Sequence, residues 1–275
     1  MSWFRALLGK LFMAGQETLL ERRRDDYGTL RITENREGYR FLYFGELTEQ
    51  SCIFSADPAW LEYDYTRAML LGAFWVQARP DMTLLGLGGG ALANSLVKHF
   101  DPGRVTVVEL RAEVLALARH WLGLSDDPRL QVRIGCAEQY ISTAPASCDL
   151  LFVDLYMEGG LSRLQLQADF FRKCQRALRP GGVLVINQWQ MGDTGLPYAA
   201  AMLGDLFGDQ FLQVQVEEGN IILFVPAVGD PPLSLDRPQM HAWAAALQER
   251  LGYSLQAYIN NLHRARQVIS AHDGD

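Results

Sequence analysis

Residues 83–109 restrict this chain more than any other stretch. They run as an apolar strand, a glycine turn, a helix, a second apolar strand and an acid at its end. Gly86, Gly88, Gly89 and Gly90 let the backbone turn tightly and approach a ligand with no Cβ in between. The helix that begins near Ala91 points its N-terminal amides at that turn. Glu109 follows about 20 residues after the turn, where a carboxylate accepts hydrogen bonds from a ribose diol. This order of parts predicts the adenosine-binding half of a doubly wound α/β domain. The spacing does not choose the ligand, because Gly86, Gly88 and Ala91 also fit the dinucleotide fingerprint.

Downstream, strands and helices alternate. Strands are expected over residues 84–87, 105–109, 130–135, 150–154 and 183–187. Helices are expected over 112–122, 138–143, 166–178 and 198–206. Such alternation builds a mainly parallel sheet with helices on both faces. Residues 211–216 and 221–225 then flank Glu217-Glu218-Gly219-Asn220 as a hairpin, read as two antiparallel strands appended to the parallel sheet. That hairpin, with the turn at Pro180-Gly181-Gly182, favours a methyltransferase-like Rossmann sheet over a nicotinamide dehydrogenase. Upstream, residues 18–54 alternate apolar and polar residues between short polar turns, which predicts a small antiparallel β-hairpin domain. Residues 60–77 carry apolar residues at helical spacing and stop at Pro80. The expected organisation is an N-terminal helix and small β domain over 1–57, a nucleotide-binding α/β domain over 58–226 and a C-terminal helical extension over 227–275. That extension reads as amphipathic helix through His263, with residues 271–275 frayed.

Composition narrows the function classes. The 275 residues carry a net charge of −7, which argues against a nucleic-acid partner because phosphate binding needs a basic footprint. Cys52, Cys136, Cys148 and Cys174 lack Cys-x-x-Cys spacing and read as reduced thiols of a cytoplasmic protein. No apolar run reaches the ~20 residues of a membrane span. Residues 1–14 show helical apolar spacing without a small-residue cleavage site, so they read as a docking helix rather than a signal peptide, with a membrane-surface or partner helix as the alternative. The five histidines are scattered, and neither a metal site nor a Ser-His-Asp triad is expected.

Together, the hairpin sheet, the Gly88-Gly89-Gly90 turn, Glu109, the segment Asp149 to Asp154 and the Pro-Gly-Gly turn resemble the spermidine synthase family of aminopropyltransferases. The resemblance covers residues 18–226. It implies transfer of an aminopropyl group from decarboxylated S-adenosylmethionine to an amine, leaving methylthioadenosine. It makes Asp154 the candidate catalytic base and Glu109 the ribose-binding acid, and it likens Tyr65 to a substrate-lining tyrosine. Cys136 and Ala137 stand where the family holds the adenine, and Gln50 where its hairpin domain supplies a substrate-lining glutamine. Cys136 reads equally as a core thiol. Tyr156, Trp189, Asn187 and Gln188 are placed to line the acceptor pocket, although the two aromatics also read as packing residues.

Several family acids are replaced. The residue after the glycine turn is Ala91, the second acid of the Asp-Ser-Ser-Asp segment is Met157, a His-Glu pair is Thr66-Arg67, and the adenine-binding Asp is Cys136. Glu158 either takes over the lost second acid or is a solvated loop residue. Three readings stay open: aminopropyl transfer to a small-molecule amine, methyl transfer from S-adenosylmethionine, and a non-catalytic binding or regulatory protein. The resemblance also implies a homodimer, for which the residues give no direct sign.

Overall fold

A computed structural model describes residues 17–208 and 211–265. The helix expected over 1–14 and the fraying expected over 271–275 lie outside the described residues.

Four antiparallel strands come first: β1 (Thr18–Asp25), β2 (Gly28–Glu34), β3 (Tyr39–Phe44) and β4 (Thr48–Phe54), paired in sequence order. Their tight turns use Gly28, Gly38 and Gly45 at positive φ. Helix α1 (Asp64–Met69) follows and continues as a 3₁₀ turn over Leu70–Phe74. The expected single helix over 60–77 is therefore shorter and tightens midway. Gly72 lies in the tightened turn, packed so closely on Val185 that no side chain fits there.

The main sheet contains β5 (Asp81–Leu85), β6 (Arg104–Glu109), β7 (Leu130–Ile134), β8 (Cys148–Val153), β11 (Leu178–Trp189), β12 (Leu212–Gln215), β13 (Asn220–Pro226) and β14 (His263–Arg264). Two short strands, β9 (Tyr156–Met157) and β10 (Gly160–Leu161), form a separate hairpin after β8. The order across the large sheet is β14-β12-β13-β11-β8-β5-β6-β7. From β7 to β11 all neighbours are parallel, while β13 runs against both β11 and β12. The C-terminal hairpin is thus present, but only its second strand opposes the parallel set, because β13 inserts between β11 and β12. The edge strand β14 was not foreseen, since a two-residue strand leaves no periodic pattern.

Parallel strands buried on both faces need apolar residues at every position, and successive side chains alternate between the faces. Leu150 and Phe152 of β8 and Val183 and Val185 of β11 join one core. Their neighbours Leu151, Val153, Leu184 and Ile186 join the other. The first core is covered by α1, α2 (Ala91–His99), α3 (Ala112–Trp121), α7 (Arg237–Leu251) and α8 (Gln256–Asn261), and it also takes in Leu30, Ile32, Leu42 and Ile53 of the N-terminal sheet. The second is covered by α4 (Ala137–Ser142), α5 (Ala168–Ala177) and α6 (Ala200–Phe207). The C-terminal segment is not one continuous helix. Asp236 caps α7 through Gln239 N–H at 3.1 Å, and Gly252 ends it at φ +78°. Among the described residues no helix is long and apolar enough to cross a membrane.

Strand order now locates the place where ligands bind. β5 pairs with β6 on one side and β8 on the other, so the connections leave β5 in opposite directions. A crevice opens beyond the carboxyl ends of β5 and β8 at such a reversal. The opposite end of these strands is closed by Arg179, which bridges Asp149 at 2.9 Å and Asp81 at 3.0 Å.

Candidate active site

The crevice is a cavity of about 670 Å³, within the size range of small-molecule sites. The glycine turn and Asp154 meet there because β5 and β8 are hydrogen-bonded neighbours. Asp154 N–H donates to Leu85 O at 3.0 Å, and Gly86 N–H donates to Val108 O at 2.9 Å. A Cβ on Gly86, which sits at φ +98°, would overlap the carbonyl oxygen of Asp154. Gly86 is therefore required by the close approach of β8 as well as by the turn. Gly89 serves the small sheet in a similar way. Its N–H donates to Ser51 Oγ at 2.7 Å, and a Cβ would stand 2.9 Å from Ile53. All four glycines line the cavity, and α2 starts directly after Gly90.

Glu109 ends β6 and is buried, with both carboxylate oxygens engaged by backbone. Oε2 accepts from Leu87 N–H at 3.0 Å and Oε1 from Arg111 N–H at 2.8 Å. Burial pushes its carboxyl up, and these backbone bonds pull it back. The residue thereby ties the glycine turn to the end of the neighbouring strand. Each oxygen has a second lone pair, and the carboxylate borders the cavity. Cys136 and Ala137, at the start of α4, form the next part of the wall.

Asp154 is half-buried and borders the same space. Asn187 Nδ2 donates to its Oδ1 at 2.9 Å. Desolvation raises its carboxyl to about 6, against the pull of that hydrogen bond. A carboxylate titrating there is ionised at neutral pH and basic enough to accept a proton from an amine.

Tyr65 stacks on Tyr63 with ring centroids 5.7 Å apart, and both border the cavity with Tyr156 and Trp189. Tyr156 and Trp189 also pack on one another at 5.6 Å. Gln50 lies on the wall as expected. Gln188 does not. It is fully buried on the far face of β11 with its Nε2 3.3 Å from Gln165 Oε1, because neighbouring residues of a strand point to opposite faces and Asn187 takes the cavity side. Glu158 is exposed outside the cavity, where its carbonyl accepts from Thr48 Oγ1 at 3.2 Å, so it is a loop residue and does not replace the lost acid. Met157 and Thr66 occupy the wall where the resemblance placed an acid and a histidine.

Sequence reasoning passed over four carboxylates in this wall: Glu49 of β4, Glu62 ahead of α1, Asp193 in the loop after β11 and Glu218 in the β12–β13 turn. Glu49 is hydrogen-bonded to Tyr63 Oη, and Glu218 Oε1 accepts from Asp64 N–H at 2.7 Å at the head of α1. Two signals were available. Glu49 precedes Gln50, and the turn 217–220 must lie at the carboxyl end of β11 once β13 pairs with it. Among the described lining residues there are six carboxylates, with Asp193 the sixth, and one cation, Arg111. Arg111 is buried and ion-paired with Asp25 at 2.7 Å. The cavity therefore presents a net negative field to any occupant.

Comparison with known proteins agrees with this geometry. The family described as the spermine/spermidine synthase domain matches residues 72–193. The polyamine aminopropyltransferase of Chromobacterium violaceum is 27% identical over 240 residues, covering 85% of this chain and 89% of that protein. The structure of a spermidine synthase in complex with the transition-state analogue AdoDATO superposes with a TM-score of 0.69 at 16% identity, over 88% of this chain and 83% of that one. Human methyltransferase-like protein 13 in complex with SAH superposes with a TM-score of 0.58 at 24% identity, over 69% of this chain and 93% of that one.

Proposed function

We propose that this chain, which is similar to the spermine/spermidine synthase domain over residues 72–193 and to polyamine aminopropyltransferases over most of its length, is a transferase moving an aminopropyl group from decarboxylated S-adenosylmethionine to an amine. The observation that carries the reading is Asp154, a carboxylate pushed up to about 6 at the strand-order reversal, inside a cavity walled by acids. The donor's adenosine would lie along Gly86–Gly90, its ribose on Glu109 and its adenine against Cys136 and Ala137. The acceptor would enter between Tyr65, Tyr156 and Gln50.

In the proposed step the acceptor nitrogen attacks the aminopropyl carbon bound to sulfur. The new C–N bond forms as the C–S bond breaks, and its electron pair returns to sulfur to give neutral methylthioadenosine. The proton leaves the nitrogen for Asp154. The protein's task is to hold nitrogen, carbon and sulfur in line and to take that proton. The acids Glu49, Glu62 and Glu218 suit a second cationic group on the acceptor and compensate for those replaced at Arg67 and Met157.

One observation favours methyl transfer as a second reading. Ala91 heads α2, where an intact methionine carboxylate meets no opposing acid on the residue after the glycine turn. Calorimetry with decarboxylated S-adenosylmethionine, S-adenosylmethionine, methylthioadenosine and NAD separates the two. The proposal expects the decarboxylated donor and methylthioadenosine to bind at least ~10-fold tighter than S-adenosylmethionine, since a carboxylate facing this wall is repelled. Tighter binding of S-adenosylmethionine would move the assignment to methyl transfer, and NAD binding alone would overturn both.

A further inference from the structure

Asp154 is held by more than its direct partner. Asn187 Nδ2 donates to Asp154 Oδ1 at 2.9 Å, and Asn187 Oδ1 in turn accepts from Asn220 Nδ2 at 2.8 Å. The second N–H of Asn220 reaches Tyr156 Oη at 3.4 Å, and that hydroxyl donates to the main-chain carbonyl of Asn187 at 3.3 Å. The amides come from adjacent antiparallel strands, β11 and the first residue of β13, whose register pairs Asn220 with Trp189. Both are buried, Asn187 at 1% exposure and Asn220 at 7%.

The direction of this chain is dictated by chemistry. An ionised carboxylate only accepts, so Asn187 must offer its NH₂ and turn its oxygen away. Asn220 answers that oxygen with a donor. An amide free to turn over would place either end toward Asp154, and Asn220 removes that freedom. We propose that Asn220 is a positioning residue which, through the side-chain amide of Asn187, fixes the orientation and proton affinity of the Asp154 carboxylate. The inference rests on the transferase reading for its catalytic meaning, but the coupling between these side chains does not need it.

Other groups around Asp154 do not supply this hold. Tyr65 from α1 and Tyr156 from β9 are phenols that burial and the Asp154 charge keep protonated. Glu49 from β4, Glu109 from β6 and Glu218 from the β12–β13 turn share the cavity and add negative charge. The cavity's cation, Arg111, is tied to Asp25.

The test is a carboxyl ¹³C NMR titration of aspartate-labelled protein, with Asp154 assigned from D154N and no substrate present. The variants are Asn187→Ala, Asn220→Leu and the double change, with Asn220→Ala substituting if leucine does not fold. Leucine has nearly the shape of asparagine, carries no charge and removes the donor. Each single change is expected to raise the Asp154 midpoint by about one pH unit, a tenfold gain in proton affinity. The double variant should match Asn187→Ala, because Asn220 acts through the residue already removed. An unmoved midpoint in the Asn220 variants, or shifts that add in the double variant, would overturn the proposal. Turnover is read separately. The acid limb of its pH profile should follow the NMR midpoint in each variant. A wild-type protein with no aminopropyl transfer but the expected midpoint shifts would remove the transferase reading and leave the coupling standing.

Discussion

Asp154→Asn is expected to lower aminopropyl turnover by about 10²–10⁴-fold while leaving methylthioadenosine affinity within about threefold of wild type. Asparagine preserves the shape and can still meet Asn187, but it cannot take the proton from the attacking amine. The wild-type rate should rise with pH through about 6, the point to which burial brings this carboxyl, because only the ionised form is a base. The same shift works against folding. A carboxyl whose proton affinity is higher in the folded chain favours the fold at low pH and withdraws that support as pH rises from 3.8 through about 6. At pH 7.5 the buried charge costs on the order of 2–3 kcal/mol, so D154N should melt several degrees higher than wild type while turning over far less. Thermal melts at pH 5 and pH 7.5 alongside a rate profile check both halves. A variant that loses stability and activity together would point to a structural role for Asp154.

Glu109→Gln is expected to act on binding instead. The carboxylate accepts from two backbone N–H groups, at Leu87 and Arg111. Glutamine offers one oxygen, so one of those groups would face an NH₂ and the glycine turn would loosen from β6. The ribose diol would also lose an ionised acceptor. Hydrogen bonds to a charged group contribute about 1.5–3 kcal/mol, so the dissociation constant for methylthioadenosine should rise about 10–150-fold. Calorimetry at one pH and salt concentration measures it. An affinity unchanged within a factor of two would mean that the nucleoside does not rest on Glu109.

The parts of this fold that were legible in the sequence are those written locally. The stretch through Gly86 to Glu109 specifies strand, turn, helix and strand within one βαβ unit, and the structure places those elements within about three residues of the expected bounds, the first strand running Asp81–Leu85 where 84–87 was expected. Asn187 and Gln188 show where local reading stops. Both lie at the end of a strand, and only the register of β11 on β8 and β13 decides which one faces the cavity. The four overlooked acids converge from the small sheet, the approach to α1, the loop after β11 and the hairpin turn, which are distant in sequence and meet only through tertiary packing. The C-terminal helix breaks at Gly252, a signal that its amphipathic pattern concealed. The Asn220–Asn187–Asp154 chain could not be seen at all before β13 was known to lie beside β11.

The most direct test of the account is a single incubation of purified protein with decarboxylated S-adenosylmethionine and a panel of primary diamines and monoamines, followed by mass spectrometry. The account predicts methylthioadenosine and an acceptor heavier by one aminopropyl group in equal amounts, with diamines preferred and D154N inactive. Methylthioadenosine without a modified acceptor, or no product from any amine at a donor concentration shown to saturate the site, would contradict it.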